Sequence, residues 1–218
     1  MENRKLYFTE FIGTFLLVFF GTGSVIISQE FNGIIGAFGI GVTFGLTVWL
    51  LVQFFGKFSD CHINPAVTIA FLSTKSISIN KGLNYILFQL IGALTASFIL
   101  RIMFQMNTDL GSTLPSGTWQ ESFIYEFFLS FGLMAVILIS TSFNKLLKFA
   151  PFLIGFTVFL EAWLAGPICG ASMNPARSFG PALVSGNIQV LWLYFIAPIF
   201  GMLCFVFLNK IIKKSFLM

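Results

Sequence analysis

The sequence predicts an all-α membrane protein with six transmembrane helices, two re-entrant half-helices and an inverted repeat that relates them. Three observations predict it. Of the 218 residues, 57% are hydrophobic and 9% charged, with a mean hydropathy of +0.93, far outside the range of water-soluble domains. Ten of the twelve Lys and Arg residues fall in four short places between or beyond long apolar runs. One tripeptide, Asn-Pro-Ala, occurs at 64–66 and again at 174–176, each time as a polar break between apolar segments.

The spans follow in order. The first runs from Leu6 to Ser28. Arg4 and Lys5 ahead of an apolar run also fit a secretory leader, but Glu10 interrupts the run and no small-residue cleavage pattern follows. The second covers Gly33–Gln53, where Gly41 and Gly45 mark a closely packed helix face. The third covers Gly82–Gln105, the fourth Trp119–Ser140, the fifth a short Ala150–Ala165, and the sixth Gln189–Asn209. Most approach the ~20 residues that a ~30 Å hydrocarbon core requires. The cation groups are Arg4 and Lys5; Lys57, Lys75 and Lys81; Lys145 and Lys148; and Lys210, Lys213 and Lys214. They alternate with links that carry none, so the positive-inside rule places both termini in the cytoplasm. Arg101, near the outer end of the third span, is expected to snorkel to the interface.

Charge and cysteines exclude other classes. The net charge of +4 follows from this topology, and no basic stripe suggests nucleic acid. Cys61, Cys169 and Cys204 are odd in number and widely spaced, so neither a disulfide framework nor a metal site follows. No cofactor is expected. Cys61 beside His62 is a poor nucleophile–base pair, since neighbouring residues do not face each other and no third group orients them.

The chain repeats itself. Glu10-Phe11 and Thr14-Phe15 correspond to Glu126-Phe127 and Ser130-Phe131, and Gln89 and Gly92 correspond in spacing to Pro198 and Gly201. One domain, 1–218, therefore contains halves near 1–106 and 119–218. Three spans per half is an odd number, so the second half is inverted, with a site expected at the midplane between them.

Each Asn-Pro-Ala starts a helix. Asn is a preferred N-cap, and Pro fits the first helical position, where no N–H is needed. The half-helices are expected over Pro65 to about Leu72 and Pro175 to about Val184, the second interrupted at Pro181. The non-helical loops before them, Phe54–Asn64 and Gly166–Asn174, are tolerable only inside protein or along a water-filled lumen. Two helix N-termini would then face each other and repel cations. With each Asn oxygen spent on its cap, the NH₂ groups of Asn64 and Asn174 are left to donate to the lumen. Such a site suits neutral hydroxylic molecules.

The stretches SDCHINPAVT (59–68) and GPICGASMNPARSFGPAL (166–183), with the half-repeats around them, resemble the aquaporin or major intrinsic protein family over essentially the whole chain. The resemblance implies a right-handed bundle of six tilted helices and two half-helices, assembled as a homotetramer with one pore per subunit. It also implies a selectivity filter at Phe44, Ala162, Ala171 and Arg177. Water-selective members have His at the Ala162 position. Ser178, Ala182 and the Tyr194-Phe195 pair look like water channels, whereas the two alanines imply a wider constriction. The expected function is therefore a passive channel for water that also admits small neutral solutes such as glycerol, urea or ammonia, excluding protons and ions. A strictly water-selective channel is the alternative. His62 is expected to line the inner side of the pore, where Asp60 and Cys61 depart from the family's small pair.

The resemblance implies that Glu10 and Glu126 are acceptors for backbone N–H groups of the non-helical loops, a structural role. In a different class, an ion-coupled secondary transporter, they would be the proton-coupling carboxylates. Glu161 has no symmetric partner and receives no role. Cys169 is a candidate mercurial site. The 218-residue length and the lack of long soluble tails suggest a compact protein of a bacterial inner membrane.

Overall fold

A computed structural model describes residues 2–215, with side chains described for 5–212; those of Arg4, Lys213 and Lys214 lie outside the described residues. The elements are α1 (Glu2–Leu17), a π-helical turn (Val18–Thr22), α2 (Gly23–Glu30), α3 (Gly36–Phe55), α4 (Pro65–Ser73), α5 (Ile79–Met103), α6 (Trp119–Ser142), α7 (Asn144–Leu147), α8 (Ala150–Cys169), α9 (Pro175–Ser185) and α10 (Leu193–Ser215). No strand is present among the described residues. Six helical runs among them are long and apolar enough to cross a membrane: Lys5–Glu30, Gly36–Phe55, Ile79–Met103, Trp119–Ser142, Ala150–Cys169 and Leu193–Ile212.

Four features depart most from the sequence expectation, beyond shifts of up to three residues at other span ends. α8 continues through Pro167 to Cys169 and stops at Gly170, whose left-handed φ of 86° places its N–H on Gly166 O at 3.0 Å. The loop before Asn174 is correspondingly short. α9 is not interrupted at Pro181; it runs unbroken to Ser185 and ends on Gly186 at φ 88°. The last span begins at Leu193 rather than Gln189, and the short α7 fills the link after α6. Local turn geometry decides all four, and hydropathy is blind to it.

The inverted repeat is visible in the packing. A Cβ at Gly92 of α5 would lie 2.4 Å from Phe11 O of α1, and one at Gly201 of α10 would lie 2.2 Å from Phe127 O of α6. Glycine alone permits each backbone approach, and the four positions are those related by the sequence repeat. Between the halves, α3 crosses α8 with Gly45 against Phe159 and Gly155 against Trp49, again too close for a Cβ. Phe rings on the outer surface, such as Phe8, Phe128, Phe200 and Phe207, are exposed in the isolated chain, as helices solvated by lipid require.

Candidate functional site: a lumen built on two half-helices

The lumen is organised by the two asparagines. Asn64 and Asn174 have extended backbones and cap α4 and α9: Asn64 Oδ1 accepts from Ala66 N at 2.9 Å, and Asn174 Oδ1 from Ala176 N at 3.0 Å and Arg177 N at 3.4 Å. Their NH₂ groups are not wholly free, contrary to expectation. Asn64 Nδ2 donates to Met173 O, and Asn174 Nδ2 donates to Ile63 O, each at 2.8 Å. Each amide thus spends one N–H on the carbonyl preceding the other asparagine, and one remains for the lumen. This reciprocal pair fastens the two helix N-termini together.

The loops ahead of the caps are strained in the same pattern. Cys61 and Ile63 have φ of 46° and 44°, and Ala171 and Met173 have φ of 40° and 52°. A left-handed β-branched residue such as Ile63 persists only when its surroundings over-determine it. Here a carboxylate does so. Glu10 accepts from His62 N at 2.9 Å and Ile63 N at 2.7 Å. Glu126 accepts from Ser172 N at 2.7 Å and Met173 N at 2.8 Å. Two consecutive N–H groups turned to one anion form a backbone nest, and both carboxylates are fully buried.

The repeat extends to the hydroxyls. His62 Nδ1 lies 3.1 Å from Thr68 Oγ1, and Thr68 Oγ1 donates to Asn64 O. In the second half Ser172 takes the place of His62 and Ser178 that of Thr68; their hydroxyls are hydrogen-bonded, and Ser172 Oγ donates to Asn174 O at 2.9 Å. The halves then diverge. Gln89 Nε2 donates to Glu10 at 2.7 Å, whereas Pro198 holds the equivalent place and Tyr194 OH donates to Cys169 O at 2.8 Å.

Phe44, Ala162, Ala171 and Arg177 all line one cavity of about 630 Å³, together with Asn64, Asn174, His62 and Cys61. It extends from Arg177 past both asparagines to Lys57, Asp60 and Lys148, the lysine-rich end of the bundle. One wall is apolar, with Val48, Val67, Leu133, Ile154 and Val158. The Arg177 guanidinium lies 5.2 Å from the Phe44 ring centroid and donates from Nη1 to Gly111 O at 3.0 Å; its Nε has no hydrogen-bond partner. At the lysine-rich end, Asp60 is paired with Lys81 at 2.6 Å, and the His62 ring stacks on Phe71 at 4.9 Å. Cys169 is fully buried and does not line the cavity. Glu161 lies between α8 and Gly132 of α6, with Oε2 unpartnered.

Sequence reading missed three features. The π-helical turn at Val18–Thr22 brings Gly21 against Phe44, where a Cβ would lie 2.2 Å from the ring; glycine there is the seat for that ring. Arg101 does not simply snorkel: its Nη1 donates to Asn107 O at 2.6 Å. The 104–118 link supplies Gly111 O to Arg177 and Thr113 Oγ1 to Ser178 at 2.6 Å. Gly111 at φ 61° was the available signal. No group of three or more His, Cys, Asp or Glu that could hold a metal occurs among the described residues.

Six spans and two half-helices meeting end to end around a lumen define a membrane channel. Residues 1–208 match the Major intrinsic protein family. Nodulin-26 of Glycine max is 38% identical over 208 residues, covering 94% of this chain and 77% of its own length. Aquaporin NIP3-1 of Arabidopsis thaliana is 39% identical over 203 residues, covering 89% of this chain and 63% of its own length. The structure of the aquaglyceroporin from Plasmodium falciparum superposes with a TM-score of 0.84 at 22% identity, covering 98% of both chains. The chain belongs to the major intrinsic protein family, and so is a channel rather than an enzyme.

Proposed function

We propose that the chain conducts water and small neutral solutes such as glycerol, urea or ammonia passively, with protons and ions excluded at the paired asparagines. The observation that carries this reading is the crosswise bonding of Asn64 and Asn174, which fixes two positive helix ends and one free N–H apiece at the centre of the lumen. An oxygen of water or an alcohol accepts there; a cation meets donors and positive potential. Phe44, Ala162, Ala171 and Arg177 act as the selectivity filter, and the two alanines leave it wider than water needs. Relatives named aquaporins and a structural relative named an aquaglyceroporin support a channel for water and small neutral solutes.

Glu10 and Glu126 anchor the loops in this account. Both are fully buried and each accepts two backbone N–H bonds, which disfavours a proton-coupled transporter. The pseudo-symmetric halves are taken as 1–106 and 119–218 of one domain. The lysine-rich end is cytoplasmic, and the assembly is a homotetramer whose subunits each contain a complete lumen. The protein is an integral multi-pass membrane protein. The sequence relatives named above, from Glycine max and Arabidopsis thaliana, are plant proteins and lend no support to a bacterial inner membrane.

Light scattering from proteoliposomes in an osmotic step tests the proposal. Fast shrinkage followed by reswelling in glycerol is expected. Fast shrinkage with glycerol uptake no faster than in protein-free vesicles would leave the strictly water-selective reading.

A further inference from the structure

We infer that Asn107, clamped between Arg101 and Glu30, is a positioning residue for the Arg177 guanidinium and thereby helps set solute selectivity. The inference rests on the reading of Arg177 as a filter group.

Four observations carry it. Asn107 is buried, and every polar group of its side chain is bonded. Nδ2 donates to Glu30 Oε1 at 3.0 Å and Gln29 Oε1 at 3.3 Å, and Oδ1 accepts from Leu110 N at 2.7 Å. Its carbonyl accepts from Arg101 Nη1 at 2.6 Å, so the end of α5 and the end of α2 hold the same residue. The Oδ1 bond to the N–H three residues on closes a local side-chain-to-backbone loop, which carries the chain into two left-handed residues, Leu110 at φ 49° and Gly111 at φ 61°. Leu110 is fully buried with Ile26 and Leu100, and a Cβ at Gly111 would lie 2.7 Å from Thr22 Cγ2, so the turn cannot slide. The Gly111 carbonyl that emerges from this turn accepts from Arg177 Nη1 at 3.0 Å.

Each link has a physical consequence. A long guanidinium side chain facing a lumen has many rotamers, and one fixed acceptor selects among them. That acceptor lies on a loop, and loops hold position only as well as their own bonds do. Asn is needed because its amide supplies an acceptor for Leu110 and donors for Glu30 and Gln29 at once. Ser keeps an acceptor, but its single, shorter O–H cannot replace the two N–H bonds to Glu30 and Gln29. Ala loses both, leaving the turn to Leu110 packing alone.

The experiment measures the glycerol-to-water permeability ratio in proteoliposomes for the parent and for Asn107→Ala, Asn107→Ser and Arg101→Gln. The alanine variant is made in both the parent and an Arg177→Ala background. Asn107→Ala is expected to shift the ratio by about threefold or more in the parent, and not at all where Arg177 is absent, since residues acting through one another are non-additive. Asn107→Ser should stay within about twofold of the parent, because the turn acceptor survives. An unchanged ratio in folded Asn107→Ala, or the same shift in the Arg177→Ala background, overturns the inference. If Asn107→Ala does not fold, Arg101→Gln carries the same comparison; failure of both to insert makes the clamp purely structural and also overturns it. An Arg177→Ala channel with the parent's ratio would defeat the underlying filter reading instead.

Discussion

A carboxylate inside hydrocarbon is costly unless donors surround it, and a run of unpaired N–H groups there is costly unless an acceptor meets it. Glu10 and Glu126 solve both problems at once, each meeting two N–H groups of a strained loop. Replacing Glu126 with Ala should therefore strand both donors and destabilise the fold by about 3 kcal/mol or more, read as loss of monodisperse protein after detergent extraction. Glu126→Gln keeps one acceptor oxygen and should lose less. At the constriction, steric reasoning applies. Ala162→His adds bulk to the lumen that Ala162 shares with Arg177 and Phe44, and should cut glycerol permeability about tenfold, roughly 1.4 kcal/mol of barrier, while water still passes. Parallel glycerol and water measurements on that variant check it; equal losses of both would mean general blockage rather than narrowing.

The elements act through close approach. Gly92 and Gly201 let α5 and α10 touch the carbonyls of Phe11 and Phe127, and those contacts carry the two glutamates to their loops. Gly92→Ala or Gly201→Ala should cost about 1–3 kcal/mol by overpacking and lower the melting temperature in detergent. Gly166→Ala, inside α8 where an added Cβ meets nothing within 4 Å, should instead leave it unchanged or raise it, because Ala is the better helix former. Much of this was legible beforehand. The six spans, the Asn caps and the Glu and Gly pairs follow from hydropathy, capping chemistry and spacing, all local or periodic in the chain. What was not legible depends on distant partners. The asparagine NH₂ groups looked free because their acceptors, Met173 O and Ile63 O, lie 109 and 111 residues away. The seat for Phe44 needed a π-helical turn that composition does not announce. Arg101 looked like an interfacial cation because its acceptor lies on an irregular link.

At the scale of the whole molecule, the two halves make a symmetric centre and an asymmetric rim. The asparagines, carboxylates and left-handed residues repeat, whereas the π-helical turn, Gln89 against Pro198, and the Gly111 link to Arg177 do not. In the proposed function, exclusion of charge is assigned to the symmetric centre and choice among neutral solutes to the asymmetric rim. Because one chain encloses the lumen, conductance per subunit should not depend on assembly, even though a homotetramer is expected by light-scattering mass in detergent. The proposed lumen is passive and closed to protons. Simultaneous recording of osmotic shrinkage and internal pH in proteoliposomes bearing a proton gradient tests both properties at once. Water flux linear in the osmotic gradient, unaffected by the proton gradient, is expected, with no proton leak above protein-free vesicles. Saturable flux driven by the proton gradient, abolished in a folded Glu10→Gln variant, would contradict the proposal.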